Sequence, residues 1–105
     1  MKVKEIIIDD CSSLDEVLFK LNNDSKYIKI FAFELINNIP FAIKEELLCA
    51  SIIIVHTKSK TFNIQIKRSE WLIFISSFIK NLELLEEYEI CAKLLKLYKK
   101  VDKIK

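Results

Sequence analysis

The chain of 105 residues contains no glycine, and that absence removes whole classes of chemistry. A P-loop, a dinucleotide-binding GxGxxG turn and a nucleophile elbow each need glycine for positive φ or for close approach of backbone to ligand. None of them can be built here. There is one proline, one tryptophan and one histidine. A ligand or general base at His56 would want a second histidine or a carboxylate at suitable local spacing, and the sequence shows neither. His56 is expected to be structural or to sit at a solvent edge.

Cysteine is scarce and scattered. Cys11, Cys49 and Cys91 are odd in number and form no CxxC, which argues against a disulfide framework and for a reducing compartment. Each thiol is expected to act as a small core hydrophobe, with Cys11, beside Ser12 and Ser13, the one nearest the surface. These residues imply no metal and no cofactor. Long apolar runs are also missing. Trp71–Ile79 (WLIFISSFI) is about half the ~20 residues that span a bilayer. After Lys2 and Lys4 only Ile6–Ile8 precede Asp9–Asp10, too little for a signal peptide. The expectation is a cytoplasmic or nuclear protein with no membrane partner.

What is present points to one folded domain, because 51% of residues are hydrophobic and 30% charged. The net charge of +2 hides an uneven distribution. Residues 58–68 carry Lys58, Lys60, Lys67 and Arg68 with no acid. Residues 83–89 (ELLEEYE) carry four glutamates and no base. From Lys93 onward, six lysines face one aspartate, and Lys99, Lys100, Lys103 and Lys105 crowd the end. Such basic stretches can neutralise phosphates without reading bases, and they can equally be a solvated surface.

The hydropathy pattern predicts the order β-α-β-α-β-β-α-α, an α+β domain with its sheet packed on a central apolar helix. Lys2–Ile8 is the first strand, and Ser12 or Ser13 caps a helix carrying Leu14, Val17, Leu18 and Leu21. The β-branched and aromatic run Tyr27–Leu35 predicts a buried strand, Asn37–Pro40 a turn, and Phe41–Ala50 a short helix. Ser51–His56 and Thr61–Lys67 form a hairpin. The stripe Trp71, Leu72, Ile75, Phe78, Ile79, Leu82 predicts the central, most buried helix, with Trp71, Leu72 and Ile75 beneath the Tyr27–Leu35 strand. Leu84, Leu85, Tyr88, Cys91, Ala92 and Leu95 continue it at a shifted phase, in a second helix or beyond a bend near Lys80–Glu83.

One stretch carries a resemblance. From Ser69 the order S-E-x-L-x-x-I-S, five residues, then L-E-x-L-x-x-Y-x-I resembles a segment of the kinase-binding (PRPK-binding) subunit family of the KEOPS complex. The matching positions are Ser69, Glu70, Leu72, Ile75, Ser76, Glu83, Leu85, Tyr88 and Ile90, and upstream Phe33–Ser51 looks like the family's strand-to-helix segment. In that family a Ser/Thr-Glu pair opens an apolar helix that ends at a Leu-Ser, and a second helix closes on an aromatic and Gly-Ile. The resemblance covers about residues 5–90. It implies a non-catalytic accessory subunit in making threonylcarbamoyladenosine on tRNA, one that docks on a small kinase/ATPase and helps to hold the tRNA, including its 3′ end. Lys58, Lys60, Lys67, Arg68, Lys99 and Lys100 are the candidate nucleic-acid contacts. Two other classes remain: an interaction or regulatory α+β domain without nucleic acid, of viral or mobile-element type, and an enzyme. The enzyme would require Asp9, Asp10, His56 and Glu70 to converge.

Overall fold

The computed structural model describes residues 3–104, so Met1, Lys2 and Lys105, including the lysines expected in the first strand and the tail, lie outside the described residues. The chain is an α+β domain. Its elements are β1 (Lys4–Ile7), α1 (Leu14–Asn23), α2 (Ser25–Lys44), β2 (Cys49–His56), β3 (Thr61–Lys67), α3 (Trp71–Leu84) and α4 (Tyr88–Lys103), with a single 3-10 turn at Arg68–Glu70. The sheet order is β1-β2-β3, with β1 parallel and β3 antiparallel to β2. Ala50, Ile53, Val55, Ile64 and Ile66 point into the core, while Glu5, Ser51, His56, Asn63 and Gln65 lie on the open face.

The main departure from expectation is α2. Tyr27–Leu35 is helix, not strand, and the expected turn at Asn37–Pro40 lies inside the same helix. Ile28, Phe31, Ala32, Leu35, Ile39 and Ala42 are all buried, a spacing of three and four residues that only a helix places on one side. Asp24 caps it by accepting from the Lys26 N–H. Pro40 removes one helix hydrogen bond, to the Ile36 carbonyl, which twenty residues of packed helix tolerate. The β-branched and aromatic content therefore lost to tertiary packing. α2, not α3, is the central helix: it packs on β2 and touches α1, α3 and α4. Phe31 stacks on Phe78 of α3, with ring centroids 4.8 Å apart.

A bulge in β2 makes the α2–β2 contact specific. Ser51 pairs with Gln65 and Ile53 with Ile64, so Ile52 is the extra residue. The bulge resets the in–out alternation, and Ile52 and Ile53 are buried side by side. Asn38 of α2, itself buried, donates its side-chain Nδ2–H to the Ile52 carbonyl at 2.8 Å. That bond pairs a backbone carbonyl of the bulged strand with a buried side chain of the helix.

α3 buries Trp71, Ile75, Phe78 and Leu82, as its stripe predicts, while Leu72 and Ile79 are half-buried. Trp71 satisfies its indole N–H on the Ile66 carbonyl at 2.9 Å. The helix break falls at 85–87, a little later than the expected bend. The phase assigned to α4 needs correction: its buried face is Ile90, Cys91, Leu94, Leu97 and Val101, and Leu84, Leu85, Tyr88 and Leu95 are exposed. Both long helix ends solve the lack of glycine in the same way. Glu46 and Glu86 adopt φ of 55° and 59°, and each follows a helix whose last carbonyls are closed by paired reverse bonds. Glu46 N–H donates to Ile43 and Leu47 N–H to Ala42, and Glu86 N–H donates to Glu83 and Glu87 N–H to Leu82.

Two outcomes follow in chemical denaturation. Glu86→Gly should raise stability by about 1 kcal/mol, since a non-glycine residue in the left-handed region costs about that much. Ile75→Ala should lower stability by about 2–4 kcal/mol, the cost of a large-to-small change at a fully buried site. A loss below about 0.5 kcal/mol would place α3 at an interface rather than in the core.

Candidate functional site

The basic residues that look contiguous in sequence are divided by the fold. Lys58 and Lys60 are exposed in the β2–β3 turn, which Thr57 closes through its N–H and hydroxyl bonds to Lys60. Lys67 and Arg68 stand at the other end of β3. Six strand steps at about 3.4 Å put the two pairs roughly 20 Å apart, so they do not form one patch. Arg68 instead joins the end of α4. Leu48, Arg68, Ser69, Leu72, Val101 and Ile104 line a groove of about 380 Å³ there. The same turns of α4 carry the exposed Lys99, Lys100 and Lys103. The Arg68 guanidinium lies 5.7 Å from the centre of the Trp71 ring, which holds it over the core edge.

The positions of the resembling motif fall as follows. Ser69 and Glu70 form the 3-10 turn that opens α3. Ile75 is buried, and Ser76 lies in mid-helix rather than at a helix end. Glu83 is in the last turn of α3, Leu85 is its exposed cap, Tyr88 begins α4 and Ile90 is buried. Tyr88 and Ile90 thus open a helix instead of closing one. Leu72 and Ser76 share a shallow groove of about 510 Å³ along the α3–α4 seam with Ile73, Ser77, Lys80 and Tyr98. Ile73 is 68% exposed in that groove.

Glu70 stands apart from His56, so the four residues of the enzyme alternative do not form one cluster. Glu70 borders a groove with Leu14, Ile64 and Phe74 at the far end of β3 from His56. Asp10 is held by Lys20 at 2.6 Å, and that hydrogen bond keeps its carboxyl below the usual range. Among the described residues, no group of three or more His, Cys, Asp or Glu side chains could hold a metal ion. His56 does have a carboxylate, supplied by Glu5 of β1. Glu5 Oε1 lies 2.6 Å from His56 Nε2, and Thr61 Oγ1 lies 3.0 Å from Nδ1. One imidazole thereby ties all three strands on the open face. Sequence reasoning missed the pair because Glu5 and His56 are 51 residues apart and meet only through the parallel β1–β2 register. No helix among the described residues is long and apolar enough to cross a membrane.

Cys91 is buried as expected, but Cys11 and Cys49 depart from the sequence expectation. Cys11 is buried beneath α1, whereas Cys49 is exposed at the start of β2. Burial pushes the Cys11 and Cys91 thiols up, with nearby Asp10 and Glu83 adding to it, so both hold little thiolate at neutral pH. Maleimide labelling of the native protein at pH 7 should therefore modify one thiol rapidly, and Cys49→Ser should abolish that phase. Fast reaction of two or more thiols would contradict the burial of Cys11 and Cys91. In comparisons with protein-family models, curated proteins and solved structures, nothing matches this chain.

Proposed function

We propose that the chain is a non-catalytic accessory subunit of a tRNA-modification assembly. It docks a small kinase/ATPase partner along the α3–α4 seam and holds tRNA through the cationic end formed by Lys67, Arg68, Lys99 and Lys100. The observation that carries this is the seam itself. Leu72 and Ser76, two positions of the motif that resembles the KEOPS kinase-binding subunits, border one solvent-open groove with Ile73 and Tyr98. Single exposed apolar residues are ordinary on a protein surface, but a groove with an apolar anchor suits a helical or loop segment of a partner. The tRNA contact needs only positive charge directed at phosphates, which exposed lysines beside Arg68 supply.

A second function is favoured by one observation, the division of the basic residues between the two ends of β3. A domain that binds only protein would have no need to gather them. Salt dependence separates the two. Three or four phosphate contacts give a slope of about −2 to −4 in log K against log[salt] for tRNA. Lys67→Ala with Arg68→Ala should flatten the slope by about 1.5, the share of two contacts. Lys58→Ala with Lys60→Ala should change it less. Ile73→Asp, at an exposed position, should abolish kinase docking and leave the thermal midpoint within about 2 °C. If wild-type protein has no tRNA affinity at low salt, alone or with the kinase, the tRNA function fails and the protein-binding domain stands.

A further inference from the structure

The α3–α4 helical hairpin has two unlike ends, and each leaves large apolar side chains uncovered by the described residues. At the turn, Leu84 is 84% exposed and Tyr88 64% exposed, with Leu85 between them in the open. Glu83, Glu86, Glu87 and Glu89 surround these three, and among the described residues Glu87 alone of the four has an ion-pair partner, Lys29 at 3.4 Å. The turn is an apolar knob with an acidic rim. At the opposite end, Leu48, Leu72, Val101 and Ile104 line the 380 Å³ groove already described, and Leu48 is 76% exposed. Arg68 borders it, with Lys67, Lys100 and Lys103 exposed on the same segments, against Asp102 as the one acid of that helix turn. Glu70, although next to Arg68 in sequence, borders the Leu14–Phe74 groove instead. The second end is an apolar socket with a basic rim. Fifteen residues of α4 separate knob from socket by roughly 20 Å, too far for one chain to join them.

We propose that the occupant of the socket is the knob of a second copy of this chain, in head-to-tail association. Apolar side chains meet apolar side chains, and acidic and basic rims oppose each other, so a single contact accounts for both uncovered surfaces. The alternative occupants would each explain one end only. An RNA backbone matches the cations but not the four apolar residues of the socket, and it leaves the knob uncovered. A contact between unlike surfaces leaves one free knob and one free socket in every dimer, so assembly continues beyond two copies. Small interfaces of this kind are weak, and opposed exposed charges make them sensitive to salt. The contact shares Leu72 with the seam assigned to a kinase partner and Lys67, Arg68 and Lys100 with the end assigned to tRNA, so a socket filled by a second copy excludes tRNA from those cations.

Sedimentation of the untagged full chain tests it, at roughly 10 μM to 1 mM, the range in which weak interfaces populate. Wild-type protein at about 50 mM salt should show a mass that rises with concentration past the dimer, and about 500 mM salt should weaken the association at least tenfold. Leu84→Lys blocks the knob, and Leu48→Glu with Arg68→Glu blocks the socket. The substituted leucines are exposed, and circular dichroism checks that each variant retains the wild-type fold. Each blocked variant should be monomeric alone. Their equimolar mixture should form a one-to-one dimer and stop there, because only one intact knob and one intact socket remain. Wild-type protein that stays monomeric throughout overturns the proposal, and so does a blocked variant that associates as well as wild type. A mixture that grows past the dimer also overturns it.

Discussion

The packing of α2 across β2 is the contact on which the rest of the molecule depends. α2 packs on β2 and against all three other helices. Nonpolar burial along Phe31, Leu35 and Ile39 supplies the attraction but little direction, since one apolar stripe slides readily on another. Direction comes from the bulge. Ile52 leaves the ladder, and Asn38 reaches its carbonyl from the helix, so the helix is held at one height on the strand. Phe31 then stacks on Phe78 and sets α3 beside α2. The seam, the socket and the turn at Glu86 are all consequences of where α3 and α4 come to rest.

Much of this was legible in the residues. The hairpin, the first helix with its Ser13 cap, and the stripe of α3 follow from local periodicity and local hydrogen bonding, and they stand where the pattern places them. Tyr27–Leu35 misled because its residue types favour strands while its spacing fits a helix. A short apolar run satisfies both periods, and only the partner surface decides between them. Asn37–Pro40 misled for a related reason: a turn-forming composition does not break a helix that is buried on both sides of it. The phase of α4 is hidden in the pattern because Leu84, Leu85 and Tyr88 continue the apolar spacing of α3 and yet are exposed. Exposed apolar residues look like core residues in a sequence.

The candidate site was less legible than the fold, and the reasons are geometric. Arg68 and Lys58 are ten positions apart and look like one patch, but a strand between them carries them to opposite ends. Arg68 and Val101 are far apart in sequence and border one groove. Glu5 and His56 meet only because two strands run parallel in a particular register. Charge runs mark composition; the fold decides which charges are neighbours.

The proposed accessory role is a matter of binding, so it is tested by what the chain holds. The α3–α4 hairpin carries two kinds of surface, a seam groove with exposed Ile73 and an end bearing Arg68 and exposed lysines. Ultraviolet crosslinking of the chain in the cells that make it, with sequencing of the attached RNA and identification of the copurifying proteins, tests this most directly. The expected result is tRNA enriched over other RNA, crosslinked at peptides around Lys67–Arg68 and Lys99–Lys100, together with a small kinase. Crosslinked RNA indistinguishable from the uncrosslinked control, with no kinase recovered, would contradict it.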